Sequence, residues 1–363
     1  MIPDVTLTTA CMDLTSYYQT ARDITTTIES MRTLLAIPVY LVIFCDSKTY
    51  PHIQQIRSQY NLEDQTYYVV LSLKMLWAYK FIDQVKKNRE VFHPTRDART
   101  CAESHIVCCN KFDFVLQTIQ MNPFNTSKFG WIDANIGPNA NKVCWEYKPH
   151  MLPDILNNVC DKFRIQVLNV TDKKYILPEN AREYYLHYRW VVSGCFFTTG
   201  KDIGVRILNR LKENFVQTTN LGCGHGEEML YLPILDEFYD DIHRTYGDYH
   251  HTFNNFIKPV VGLQYIRDNI VNTYTRFQYW KEGYDCCKIM LDQFRGEHDG
   301  IWFGVMYNMY LCTYYYKPEE LEIYLNKFKQ HIMINPALKR ELDSKKEFYL
   351  QQFARHSELM NDL

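Results

Sequence analysis

One run dominates what this chain can fold into: Val39 to Cys45 is apolar without a break and stops at Asp46. A strand with no polar alternation is covered on both faces, the condition of a parallel sheet flanked by helices. The surrounding pattern supplies the rest. Val5 to Ala10 is short and β-prone, Tyr67 to Leu71 is a further strand, and Phe129 to Asp133 is a strand ending in an acid. Between them, Arg22 to Leu35 carries Ile24, Ile28, Met31 and Leu35 at helical spacing, and Thr49 to Tyr60 sets Ile53 and Ile56 on one side. Lys74 to Val85 and Ser104 to Met121 also read as helices. Strands alternating with helices predict an α/β sandwich with a mostly parallel central sheet. Ligands of such open sheets bind outside the carboxyl ends of the strands, which brings Thr8, Thr9, Asp46 and Asp133 to one crevice.

The later chain is read more coarsely. The stretch Asn141 to Glu183 is irregular, punctuated by Pro149, Pro153 and Pro178. Phe163 to Val170 and Arg189 to Phe197 are strand candidates, and Asp202 to Phe215 is an amphipathic helix. From Lys258 on the pattern turns helical and aromatic, with Trp280, Trp302 and Tyr314 to Tyr316. Its 363 residues suit one large domain plus an appendage, so residues 1–257 are expected to form the α/β domain and 258–363 a helical region. The tail after Lys339 is charged and reads as a solvated or frayed helix.

Charge and motifs remove several functions. A net charge of −2 offers no field of one sign to attract nucleic acid or an anionic membrane. No apolar run approaches the roughly 20 residues of a membrane helix, and no secretory leader is visible, so a cytoplasmic protein without a transmembrane segment is expected. Its 12 cysteines include no CxxC pair, so they read as reduced, mostly buried residues. No His-Glu-x-x-His or Gly-x-Ser-x-Gly occurs, and Gly222-Cys223-Gly224 has neither dinucleotide-fingerprint nor P-loop spacing.

Four segments could carry chemistry. Asp133-Ala134-Asn135 leaves a strand with oxygen side chains at i and i+2, a pattern that can face a hard cation such as Mg²⁺ or Mn²⁺ together with a diphosphate; taken alone, the motif is better explained by an Asx turn in which Asp133 bonds its own backbone. Ser193 to Lys201 holds Gly194, where a backbone can approach a ligand, and Lys201, which could contact phosphate; a tight strand–turn–helix junction is the plain alternative. Glu227 and Glu228 follow a glycine-rich loop and could act on a hydroxyl nucleophile, or could simply suit a helix start. Of the neighbouring His250 and His251, at most one could reach a metal, and His251 is the candidate. Lys111 is a plausible diphosphate partner near the crevice.

These pieces in this order resemble the HtrL/YibB family, proteins related to glycosyltransferases of the GT-A type. The resemblance runs from Val5-Thr6-Leu7-Thr8-Thr9-Ala10 through Asn110-Lys111-Phe112, then Trp131-Ile132-Asp133-Ala134-Asn135-Ile136-Gly137 and Ser193-Gly194-Cys195-Phe196-Phe197. It closes with Gly226-Glu227-Glu228 and Gly247-Asp248-Tyr249. It implies a GT-A-like fold, a UDP- or GDP-sugar donor, a glycan acceptor and a divalent cation, Mn²⁺ or Mg²⁺. On it, Thr8, Thr9 and Ala10 would line the nucleotide end. Asp133-Ala134-Asn135 would stand where such enzymes place Asp-x-Asp, Trp131 and Ile132 before it would join the nucleotide-sugar-binding residues, and Gly194 to Phe197, with Gly194 and Cys195 contacting the donor, would shape the donor or acceptor sugar pocket. Glu227 or Glu228 would be the acceptor-side acid, with Glu228 favoured because Glu227 lies nearer the helix start. Two positions depart from the pattern: Asn135 removes one acid, and Cys195 replaces a small residue. The first departure keeps open a non-catalytic glycan- or partner-binding protein with a degenerate fold.

Overall fold

The computed structural model describes residues 2–18, 23–96, 100–136, 148, 150–257, 262–293, 299–336, 339–340 and 343–344. Gly137, Pro149, Lys258, the first residues of the irregular stretch and most of the charged tail lie outside them. The chain forms two compact units, Met1–Val261 and Gly262–Leu363.

The first unit is mixed α/β around a seven-stranded, mostly parallel sheet. Its strands are β1 (Val5–Cys11), β2 (Tyr40–Cys45), β3 (Thr66–Val70), β4 (Lys128–Ile132), β5 (Phe163–Val167), β6 (Val192–Gly200) and β7 (Ile242–Tyr246), in the order β3-β2-β1-β4-β6-β5-β7. Only β6 runs against its neighbours. The helices are α1 (Ile24–Leu35), α2 (Tyr50–Gln59), α3 (Ile82–Arg89), α4 (Ala102–Cys109), α5 (Lys111–Met121), α6 (Met151–Leu156), α7 (Ala181–Tyr185), α8 (Lys201–Asn220), α9 (Leu232–Glu237) and α10 (Thr252–Ile257). Both faces of β2 are covered, as its sequence requires. Val42 and Phe44 pack with Phe112, Phe114 and Leu211 on one face, and Leu41 and Ile43 pack with Met31, Leu34 and Ile53 on the other.

Three local expectations change. The segment Lys74 to Val85 is helical only from Ile82; extended backbone at Leu76 separates two 3-10 turns ahead of it. Ser104 to Met121 is two helices meeting at Asn110, whose Oδ1 accepts the Ala78 N–H at 3.0 Å. Strand β7 was not legible, because Ile-His-Arg-Thr-Tyr has no run of apolar residues. Its central Arg244 instead donates to the carbonyls of Tyr239 and Leu235.

The second unit is helical: α11 (Leu263–Tyr265), a π turn (Ile266–Val271), α12 (Asn272–Arg276), α13 (Trp280–Gln293), α14 (Asp299–Tyr316) and α15 (Leu321–Ile334). Buried Asn308 of α14 accepts from Thr275 at 2.6 Å and donates to Asn272 at 2.9 Å, so its polar group is satisfied inside the unit. No helix of the described residues is long and apolar enough to cross a membrane.

Candidate active site

The carboxyl edge of the sheet is built around one buried cation. Lys111 opens α5 and is 2% exposed. Its Nζ donates to the Gly194 carbonyl and to Glu227 Oε1, each at 2.9 Å, and stands 3.7 Å from Asp133 Oδ1. The ammonium also lies 5.4 Å from the centre of the Trp131 ring. A buried ammonium with one partner would be costly; two carboxylates, a carbonyl and a ring face offset that cost. Burial opposes the charge on Lys111, and Asp133 and Glu227 outweigh it, raising the ammonium well above its usual range.

Each partner has a local reason for its place. Strand β4 carries Asp133 just past its end, where its N–H bonds the Cys195 carbonyl at 2.8 Å and its Oδ1 accepts Trp131 Nε1 at 2.6 Å. Strand β6 pairs Phe197 with Ile165 but Val192 with Val167, so extra β6 residues bulge between these pairs. The bulge presents the Gly194 carbonyl to Lys111. A side chain at Gly194 would begin 3.1 Å from Glu228 Cγ and 3.2 Å from Glu227 Oε1, so the glycine makes room for the acids.

The two glutamates are not equivalent. Glu227 is half-buried and Glu228 is buried. Burial raises Glu227, but Lys111 outweighs it and holds this carboxyl below the usual range. Burial, and then the charge of Glu227, pushes Glu228 well above that range. Glu228 accepts from the Tyr188 hydroxyl. The pair therefore concentrates its negative charge on Glu227, with Glu228 the more readily protonated of the two, as close carboxyls in a dry site require. This reverses the preference for Glu228 as the freer acid, since its carboxyl is packed under Tyr188. Gly226 permits that packing: a Cβ there would lie 2.5 Å from the Tyr188 hydroxyl.

Other candidate residues take varied places. Thr8 and Thr9 are fully buried in β1, and Thr8 Oγ1 donates to Thr118 of α5 at 2.9 Å, so neither hydroxyl stands open in the crevice. Ala10 is half-buried nearer the strand's end. Asp46 lies just past the end of β2, but its Oδ1 accepts the amides of Lys48 and Thr49 at 2.8 and 3.0 Å in the turn that leads into α2. Ile132 and the Cys195 side chain belong to the core. Ala134 and Asn135 are half-buried in the turn after Asp133. Lys201 does not belong to this edge: β6 is antiparallel, Phe196 pairs with Ile132 and Gly200 with Lys128, so Lys201 emerges at the amino end of β4. His251 Nδ1 lies 2.7 Å from Asp248 Oδ1 in the turn that follows β7. Lys111, expected to face a diphosphate, spends its bonds inside the protein.

Sequence reading missed Tyr188, and named Tyr249 only within Gly247-Asp248-Tyr249, with no role in the site. Tyr249 is close enough that Asp133, Glu227 and Glu228 help raise its hydroxyl, after burial and Cys195. Its loop is fixed by Gln166, which donates to the Asp248 carbonyl at 2.6 Å. It also missed His105 and Cys109 of α4, which lie with His225 in a buried cluster whose candidate ligand atoms are all within 4.8 Å of one another and which could hold a metal ion. The i,i+4 spacing of His105 and Cys109 was the available signal. Burial keeps both imidazoles neutral, pushing His105 down to about 3 and His225 well below its usual value.

Residues 3–257 match the model of the HtrL/YibB family, described as "Bacterial protein of unknown function (HtrL_YibB)". The match spans most of the chain, which belongs to that family. No curated protein matches it. Among solved structures it is similar to the apo crystal structure of mouse xyloside xylosyltransferase 1, with 10% identity and a TM-score of 0.36, over 66% of this chain and 84% of that one. A TM-score so low does not bear on fold or activity here.

Proposed function

We propose that this chain is a glycosyltransferase that moves a sugar from a UDP- or GDP-sugar to an acceptor hydroxyl of a glycan or protein-linked sugar. The observation that carries the reading is the meeting of Asp133, from the end of β4, and Glu227, from the loop after α8, on the buried ammonium of Lys111. The HtrL/YibB resemblance supports it, because the acids fall in the segments that carry that resemblance.

The donor would lie along the carboxyl edge, past Ala10 and Asp133, with its sugar toward Gly194. Glu227, ionised and half-buried, is the residue placed to accept the proton of the acceptor hydroxyl if the reaction inverts. Glu228, Tyr188 and Lys111 position it. Tyr249 is suited to hydrogen-bond the acceptor or the donor sugar.

The donor set fits a hard divalent cation on one side of Asp133. The described partners of its carboxylate, Trp131 and Lys111, both lie on Oδ1, and the side chain remains one-third exposed. Asp133 and Asn135 would hold Mn²⁺ or Mg²⁺, which would supply positive charge against a departing diphosphate. His251 is not needed in that set.

A second reading, a glycan- or partner-binding protein without catalysis, is favoured by one observation: the Lys111 ammonium already stands 3.7 Å from Asp133, and Asn135 adds no charge. Thermal shift against UDP, GDP and their sugars, with and without Mn²⁺, followed by mass spectrometry of products, separates the two. Metal-dependent stabilisation with product formation supports the enzyme. Sugar binding without product supports the binder, and no response to any nucleotide would sink the enzyme reading.

A further inference from the structure

We infer that His105, Cys109 and His225 form a second metal site, for a borderline-soft cation held by imidazole and thiolate, with Zn²⁺ the expected occupant. Three observations carry it. His105 and Cys109 lie on one face of α4, and the candidate ligand atoms of the trio, one from each residue, all fall within 4.8 Å of one another. From bond lengths of about 2.0 Å to nitrogen and about 2.3 Å to sulfur, donors around tetrahedral zinc stand roughly 3.3–3.6 Å apart, so the trio closes on an ion with small side-chain movements. All three residues are buried, at 8%, 0% and 1% exposure.

The third observation is an unpartnered atom. His225 Nε2 lies 3.2 Å from Thr219 Oγ1, while its Nδ1 is buried with no hydrogen-bond partner. A packed histidine core would account for His105 and Cys109, whose Nε2 and Sγ are 3.7 Å apart. It would leave the His225 nitrogen unsatisfied, at a cost of about 1–3 kcal/mol. Coordination through Nδ1 would satisfy it and leave Nε2 to Thr219, the arrangement of outer partners around metal-bound histidines.

The donors set the class of ion. Two nitrogens and a sulfur, walled by Phe215 with its ring 5.3 Å from that of His225, suit Zn²⁺ or Cu⁺ and disfavour Mg²⁺ and Mn²⁺. This set shares no residue with Asp133 and Asn135. Its place in the chain gives it a role: Cys109 lies two residues before Lys111, and His225 two residues before Glu227. An ion here ties the start of α5 to the loop that carries the acids, and so positions Lys111 against Glu227.

The test is metal analysis of the full chain, purified under reducing conditions and loaded with Zn²⁺, with X-ray absorption at the zinc edge. About one zinc per chain is expected, with a mixed nitrogen and sulfur shell. Cys109→Ser and His225→Gln should each reduce binding to near zero, and Asp133→Ala should leave it unchanged. Two ligand variants are read because one could fail to fold, and the absorption spectrum of the parent needs neither. Absence of zinc and of copper from the loaded parent overturns the inference. So does a shell without sulfur, full zinc in either folded ligand variant, or loss of zinc from Asp133→Ala.

Discussion

Replacing Lys111 by Met removes the charge at the centre of the proposed site while keeping most of the stem's volume. It leaves Asp133 and Glu227 facing each other without a cation and strips the Gly194 carbonyl of its donor. Removing one partner of a buried ion pair costs about 3–5 kcal/mol. Asp133 is one-third exposed and recovers solvation, so the low end applies, about 3 kcal/mol at pH 7. For a unit of this size that lowers Tm by roughly 6–12 °C. The loss has a sign with pH. In the parent, Glu227 lies below its unfolded value, so it contributes stability above that value and loses it only as pH falls through the lowered one. Without Lys111, burial and Asp133 raise Glu227, and a penalty grows as pH climbs past the unfolded value. Urea denaturation of parent and variant between pH 5 and 8 should show the deficit widening as pH rises. A deficit under about 0.5 kcal/mol at pH 7, or one that does not change with pH, would refute the shared-cation account.

The two glutamates should separate in kinetics. Glu228→Gln mimics a neutral acid and should keep transfer within about tenfold, whereas Glu227→Gln should lower kcat by about 10²–10⁴ with donor affinity little changed; equal losses would contradict the assignment. In the parent, raised Glu228 binds its proton in the folded state above the unfolded value, so it costs stability as pH rises, by up to about 1.4 kcal/mol per pH unit. Urea titrations should show Glu228→Gln without that slope. Gly226→Ala should displace Tyr188, whose hydroxyl would lie 2.5 Å from the new Cβ, and cost about 1–3 kcal/mol in denaturant unfolding.

What the sequence disclosed was whatever local pattern encodes. The unbroken apolar run of β2, the acid at the end of β4 and the Gly-Glu-Glu loop each announce themselves within a few residues. Strand direction does not. Nothing in Arg189 to Phe197 says that β6 runs backwards, and that reversal moved Lys201 to the other edge of the sheet. Strand β7 stayed hidden because Ile-His-Arg-Thr-Tyr has no apolar run, and its Arg244 is satisfied by the carbonyls of Tyr239 and Leu235. Tyr188 was one of 28 tyrosines until Gly226 and Glu228 were seen to pack on it. The contrast in charge between Glu227 and Glu228 likewise depends on Lys111, more than a hundred residues earlier.

The central claim is that Asp133 serves sugar transfer from a nucleotide donor. The most direct measurement is release of free nucleoside diphosphate from a panel of UDP- and GDP-sugars with Mn²⁺, by the parent and by Asp133→Ala checked for folding. The account predicts release by the parent with at least one donor and a loss of about 10²-fold or more in the variant. Release from no donor, or equal release by both proteins, would contradict it.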